Sequence, residues 1–138
     1  MKNVKRILIV LLTLPVLAAG VGYYMYNKPT ESLKNMKVQV SMTSDALFTA
    51  FEQDETAANK AYLDKVVEVK GKIQSLNSDT SGVSVSLNTT SGMFGVICKF
   101  ENKETDINQY QVGQEVKLKG ICTGYLMDVV LVRCVPVE

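Results

Sequence analysis

From Val67 onward the chain follows a two-residue rhythm, and that rhythm restricts its fold more than any other feature. Val67, Val69, Gly71 and Ile73 alternate with Glu68, Lys70, Lys72 and Gln74, as a strand does when one face is buried and the other is wet. Turn-forming Asn77, Ser78, Asp79 and Gly82 follow, and Val83, Val85 and Leu87 then alternate with Ser84, Ser86 and Asn88. A second turn over 89–92 leads to Phe94, Val96, Cys98 and Phe100 on one face. The polar stretch 101–110 has room for a short helix, and Val112-Gly113-Gln114 reads as a turn into the next strand. There Val116, Leu118, Gly120 and Cys122 alternate with Glu115, Lys117, Lys119 and Ile121. A break at 123–128 precedes a last strand from Val129 to Val135. Gly71, inside the first strand, marks a bulge or sharp bend of the kind that barrel closure requires.

Strand, strand, strand, short helix, strand, strand is the order of the OB-fold, a five-stranded Greek-key barrel. The expected class is therefore mainly β. A helix precedes the strands. Thr43 or Ser44 can cap it, Asp45 sits in its first turn where the helix dipole favours negative charge, and Leu47, Phe48, Phe51, Ala58 and Tyr62 fall near one face. That face is expected to pack on the sheet.

The N-terminus is of a different kind. Residues 1–6 are short and basic, with Lys2, Lys5 and Arg6, and Ile7–Tyr26 is a run of twenty residues without a charge, long enough to cross a bilayer as a helix. Small residues at Ala18, Ala19, Gly20 and Gly22 offer poor cleavage sites for a signal peptide. Tyr23, Tyr24, Met25 and Tyr26, followed by Asn27 and Lys28, resemble an interfacial aromatic belt. The expectation is a retained signal anchor rather than a cleaved and secreted form, with the domain outside the cytoplasm, in the periplasm. Pro15 is tolerated in such a helix. The expected organisation is thus a tail at 1–6, a transmembrane anchor at 7–26, a tether at 27–42 and the barrel domain at 43–138.

Charge narrows the ligand class. Beyond Lys28 there are eleven Lys and Arg against fourteen Asp and Glu, a net of −3. Binding to nucleic acid draws most of its strength from phosphate neutralisation and counterion release, so this balance disfavours it.

Cys98, Cys122 and Cys134 all fall on inward-facing positions of the expected strands. They are either small buried hydrophobes or, in an oxidising compartment, two of them can pair. If the last two strands form a hairpin, Cys122 and Cys134 lie opposite each other, which makes them the candidate disulfide and leaves Cys98 free. With no histidine in the chain, a catalytic cysteine lacks its usual base. A zinc site lacks ligand spacing, and no phosphate loop or nucleophile elbow is present. Neither an enzyme nor a cofactor is expected. Acidic groups such as Asp54-Glu55 and the trio Glu101, Glu104 and Asp106 read as solvated faces.

Two stretches carry a resemblance. Asn59-Lys60-Ala61-Tyr62-Leu63-Asp64-Lys65-Val66-Val67-Glu68-Val69-Lys70-Gly71 and Gly120-Ile121-Cys122-Thr123-Gly124-Tyr125-Leu126-Met127-Asp128-Val129-Val130-Leu131-Val132-Arg133-Cys134 resemble the tRNA-anticodon-like OB family. Many of its members are small bacterial envelope proteins described as lipoproteins or as nucleic-acid-binding proteins. The resemblance implies a fold more firmly than an activity. This chain departs from the lipoprotein members, because no cysteine stands at the end of its apolar run.

An OB barrel generally binds on the face of its second and third strands and through the loops joining strands one to two and four to five. The candidate contacts are Tyr125, Leu126 and Met127 at the last hairpin and Lys72, Lys99 and Arg133 as outward charges, with 77–81 as the other loop. Lys117 and Lys119 also point outward. Two readings of the tip triplet stand: contact with a partner, or capping of the open barrel end by Leu126 or Met127. The expected function is a non-enzymatic, membrane-anchored envelope module for a protein or glycan, with single-stranded nucleic acid as the alternative.

Overall fold

The computed structural model describes residues 2–27, 32–100 and 105–137, and within the first helix it describes side chains from Thr13 onward. That helix, α1 (Lys2–Asn27), runs for 26 residues through Pro15. Its described apolar side chains, among them Leu14, Val16, Leu17, Val21 and Tyr23 to Tyr26, are all exposed. Among the described residues no helix is long and apolar enough to cross a membrane. The flanking Lys28 and tether residues 29–31 lie outside the described residues.

The second unit, Ser32–Glu138, begins on the barrel itself. Ser32 caps a single 3-10 turn, Leu33–Asn35, and Leu33 is fully buried beside Val66 and Val135. Residues 32–42, read from sequence as tether, thus contribute a buried anchor and a strand, β1 (Val40–Thr43). Thr43 then caps α2 (Ser44–Gln53), its hydroxyl accepting from the Ala46 amide at 3.1 Å. The single helix expected from sequence is two. Asp54 breaks it with an extended backbone and caps α3 (Glu55–Tyr62), accepting from the Ala57 amide at 2.9 Å. The apolar face survives the break, with Leu47, Phe48, Phe51 and Ala58 buried.

Five strands close the barrel: β2 (Val66–Asp79), β3 (Gly82–Leu87), β4 (Val96–Phe100), β5 (Glu115–Tyr125) and β6 (Val129–Pro136). Antiparallel β2–β3–β4 form the expected meander, β4 pairs with β6 in parallel, β6 with β5, and β5 returns to β2. β1 lies parallel to the first half of β2, Val40 beside Val67. The two-residue rhythm becomes the interior: Val67, Val69, Ile73, Val83, Val85, Leu87, Val96, Cys98, Leu118 and Cys122 are all buried. At roughly 25 cal/mol per Å² of apolar area removed from water, such a layer supplies most of the folding drive.

Glycine at 71 has a different cause from the one expected. The irregularity of β2 falls between Ile73 and Ser75. At Gly71 the start of α2 packs on the strand, and a Cβ there would run into the Ser44 hydroxyl. The expected helix in 101–110 is a 3-10 turn, Ile107–Gln109, capped by Asp106. Glu101 and Glu104 lie outside the described residues.

The last strand corrects the cysteine reading. Simple alternation puts Val130 and Val132 inward with Cys134, but Val129 and Leu131 are the buried residues. An extra residue at Val132–Arg133, where Arg133 takes φ 56°, resets the alternation so that Cys134 still turns inward. It does not meet Cys122, which lies opposite Leu131. In this structure all three cysteines are reduced and buried, and the expected Cys122–Cys134 bond is not formed.

Candidate functional site

Of the candidate contacts named from sequence, Lys99 and Arg133 share the β4–β6 ladder, Tyr125, Leu126 and Met127 form the last hairpin, and Lys72 lies apart from both. Lys99 lies beside a groove formed where the β2–β3 hairpin stands over the end of β4. Asn77, Asp79, Ser81, Ser84, Ile97 and Lys99 line it together with Val83 and Phe100, and its volume is about 260 Å³. The sequence pattern builds it directly. Ser84 and Lys99 alternate with the buried Val83, Val85, Cys98 and Phe100, and the two are partners across the β3–β4 ladder. Asp79 shapes the turn, accepting from the Ser81 amide at 2.7 Å. That bond, helped by the Lys99 charge, holds its carboxyl below the usual carboxylate range, so Asp79 is ionised at neutral pH.

No aromatic face is open in the groove. Phe100 is only 8% exposed, and its ring packs on Tyr110 with centroids 5.6 Å apart. Burial pushes the Tyr110 phenol up, so Tyr110 stays neutral and serves as packing.

The hairpin tip packs on the barrel through Tyr125, and not through Leu126 or Met127, the residues expected to cap it. Tyr125 is a cap: its ring stacks on Phe51 at 5.8 Å and meets Phe48 edge-on at 5.9 Å, closing the barrel beneath α2. Leu126 and Met127 remain 91% and 60% exposed. Met93, 76% exposed, stands at the same end of the barrel, because the Gly95 amide donates to Asp128 at 2.7 Å and the Val129 amide to the Gly95 carbonyl at 3.0 Å. Sequence reading missed Met93, which sits in a turn outside every alternating run. A cleft between α3 and this hairpin, lined by Glu55, Asn59, Leu63, Thr123 and Leu126, is larger, about 350 Å³, but opens more widely to solvent.

Lys72 belongs with neither place. Along β2 it stands seven positions before Asp79, roughly 23 Å of strand. It shares a shallow depression with Asp45, Asn88, Thr89 and Thr90. There the Asp45 carboxylate accepts from the Thr90 amide and hydroxyl, at 2.7 and 2.5 Å, and these bonds lower its pKa. Arg133 is half-buried at the β6 irregularity. Lys99 and Arg133 thus lie on neighbouring strands of the β4–β6 ladder, and Lys72 lies apart from them. Among the described residues no group of three or more His, Cys, Asp or Glu could hold a metal ion.

A five-stranded Greek-key barrel with a helix over one end and a groove on its second and third barrel strands defines an OB-fold domain. Comparison places it further. The tRNA_anti-like family model matches residues 1–135, and the chain belongs to that family. In solved structures it is similar to a putative nucleic acid-binding lipoprotein from Klebsiella pneumoniae subsp. pneumoniae MGH 78578, with 15% identity and a TM-score of 0.55 over 71% of this chain and 92% of that one. A putative aspartyl-tRNA synthetase from Leishmania major Friedlin aligns at 14% identity and a TM-score of 0.46, over 83% of this chain and 24% of that one. No curated protein matches.

Proposed function

We propose that this chain is a non-enzymatic binding module of the bacterial cell envelope, tethered to a membrane by its N-terminal helix, which takes a protein or glycan segment into the β2–β3–β4 groove. The observation that carries the ligand class is the groove lining: two serine hydroxyls, an amide, one ionised carboxylate and one ammonium, with no exposed aromatic ring. Convergent hydroxyl, amide and carboxylate groups suit the hydroxyls of a sugar or the amides of a peptide. Single-stranded nucleic acid is held differently, by aromatic faces that stack bases and by a positive groove along the backbone. The support for a membrane tether is the uncharged run Ile7–Tyr26 with basic residues before it and tyrosines at its end.

The second reading, a single-stranded nucleic-acid binder, draws on the description of the Klebsiella relative. A salt-titrated binding assay of the full chain in detergent against single-stranded DNA and RNA separates the two. Affinity that falls steeply with salt establishes the nucleic-acid reading. Absence of binding at low salt, together with retention of envelope glycan or peptide that Ser84→Trp abolishes, establishes the first. The tether is tested by extracting cell membranes at alkaline pH: the chain stays with the bilayer, and release into the supernatant refutes the anchor.

A further inference from the structure

Closing the barrel brings together two thiols that lie on strands far apart in sequence. Cys98 is on β4 and Cys134 on β6, and the parallel ladder sets Cys98 beside Leu131 and Phe100 beside Cys134. A regular ladder from Cys98 would have put Arg133 beside Phe100. The extra residue at Val132–Arg133 moves Cys134 into that place and turns it into the interior. Both side chains are fully buried, and, after burial itself, the neighbouring Cys98 thiol is what pushes the Cys134 thiol up. Gly120, on the opposite strand, makes the room: a Cβ there would stand 2.5 Å from the Cys134 sulfur. The thiol beside Cys134 is that of Cys98 and not that of Cys122, which lies on β5.

We infer that Cys98 and Cys134 are a disulfide-forming pair, closed during folding by a disulfide-class oxidant, either a small-molecule disulfide or a thiol-disulfide oxidoreductase. One protein thiolate attacks a sulfur of the oxidant's disulfide and displaces one thiolate. The second protein thiolate attacks the protein sulfur of this mixed disulfide and displaces the other. The protein loses two protons and two electrons in all, and the oxidant leaves as two thiols. Burial decides the timing. Thiolate is the nucleophile, and the apolar interior disfavours it, so the closed barrel reacts slowly. The productive window comes while the β4–β6 ladder still opens and closes. The bond then ties together the parallel pair that completes the barrel, out of reach of external thiols. This inference stands apart from the ligand proposed for the groove.

The test uses the full chain in detergent, reduced in denaturant and refolded in a mixture of oxidised and reduced glutathione. Free thiols are then alkylated under denaturing conditions and the peptides mapped by mass. The expected map shows one linked peptide joining Cys98 to Cys134, lighter by two hydrogen atoms than its reduced parts, with Cys122 alkylated. Cys122→Ala keeps the link and Cys98→Ala removes it. Three alkylated thiols in the refolded wild-type chain, or a link through Cys122, overturns the inference. The linked chain is also expected to unfold at higher urea than the reduced chain, and a lower midpoint would mean that the interior does not accommodate the bond.

Discussion

The two places where this barrel could meet other molecules are built on opposite principles. At the helix-covered end, Phe48, Phe51 and Tyr125 pack ring against ring beneath α2, so the side chains that define the place also hold the fold. At the groove, Asn77, Asp79, Ser81 and Lys99 are exposed, Ser84 is half-buried, and none of them is part of the apolar core. Changes at the first place are felt as stability before anything else. Those at the second leave stability nearly untouched, which is what a surface available to a ligand requires.

The largest effect expected from this contrast is at Phe51. It is 1% exposed and touches both Tyr62 and Tyr125, so Phe51→Ala removes about 3–5 kcal/mol of stability, as large-to-small core changes do. Urea unfolding followed by far-UV circular dichroism measures it. The groove counterpart, Lys99→Ala, stays within about 0.5 kcal/mol of wild type, the range of ordinary surface changes. If Lys99→Ala destabilised the chain as much as Phe51→Ala, the groove would be structural and the contrast would fail.

The hairpin tip sharpens the comparison within three residues. Tyr125→Ala gives up two ring contacts and the burial beneath α2, together about 2 kcal/mol. Leu126→Ser, one residue along, changes stability by less than about 0.5 kcal/mol because Leu126 is 91% exposed. Equal losses at both positions would mean that Leu126 packs where the structure leaves it open. Next in size is Thr43→Ala, expected to cost about 1 kcal/mol through loss of the α2 cap. It too acts only at the covered end.

How much of this was legible beforehand follows from the physics of each element. The barrel interior could be read because alternation is written in every strand, and the residues expected inward on β2, β3 and β5 are largely the buried ones. Two features resisted. The break at Asp54 was hidden because the apolar spacing of α2 and α3 reads as one continuous helix face. The alternation of β6 was inverted because a single added residue at Arg133, with its left-handed backbone, shifts every assignment before it, and a sequence does not announce such an insertion. Of the site, the hairpin-turn residues and Lys99 were named, while the split of Tyr125 from Leu126 and Met127 depends on where α2 comes to rest. Pairing of Cys98 with Cys134 was hidden for the same reason as the inverted strand, since it depends on the parallel β4–β6 register.

The smallest expected effect concerns charge, and each place supplies one carboxylate for it. Hydrogen bonds from Thr90 lower the pKa of Asp45, and bonds from Ser81 lower that of Asp79. A carboxyl depressed in the folded state adds stability that is fully present above its unfolded pKa, about 3.9, and is lost as pH falls through the lower folded value. Asp79 is exposed and Asp45 half-exposed, so the contribution of each is small. They differ in what they join. Asp45, in the first turn of α2, ties the covered end to the 88–94 loop, whereas Asp79 bonds only within its own turn. Urea midpoints recorded from about pH 6 to about pH 2 are expected to show Asp45→Asn below wild type at the upper end, with the two curves converging in acid. Asp79→Asn should show a weaker form of the same convergence, since a local turn returns less to the fold than a tie between segments. A gap at Asp45 that stays constant across the range would show that the ionised state contributes nothing there. A larger gap at Asp79 than at Asp45 would place the stabilising carboxylate beside the groove and reverse the division of roles between the two places.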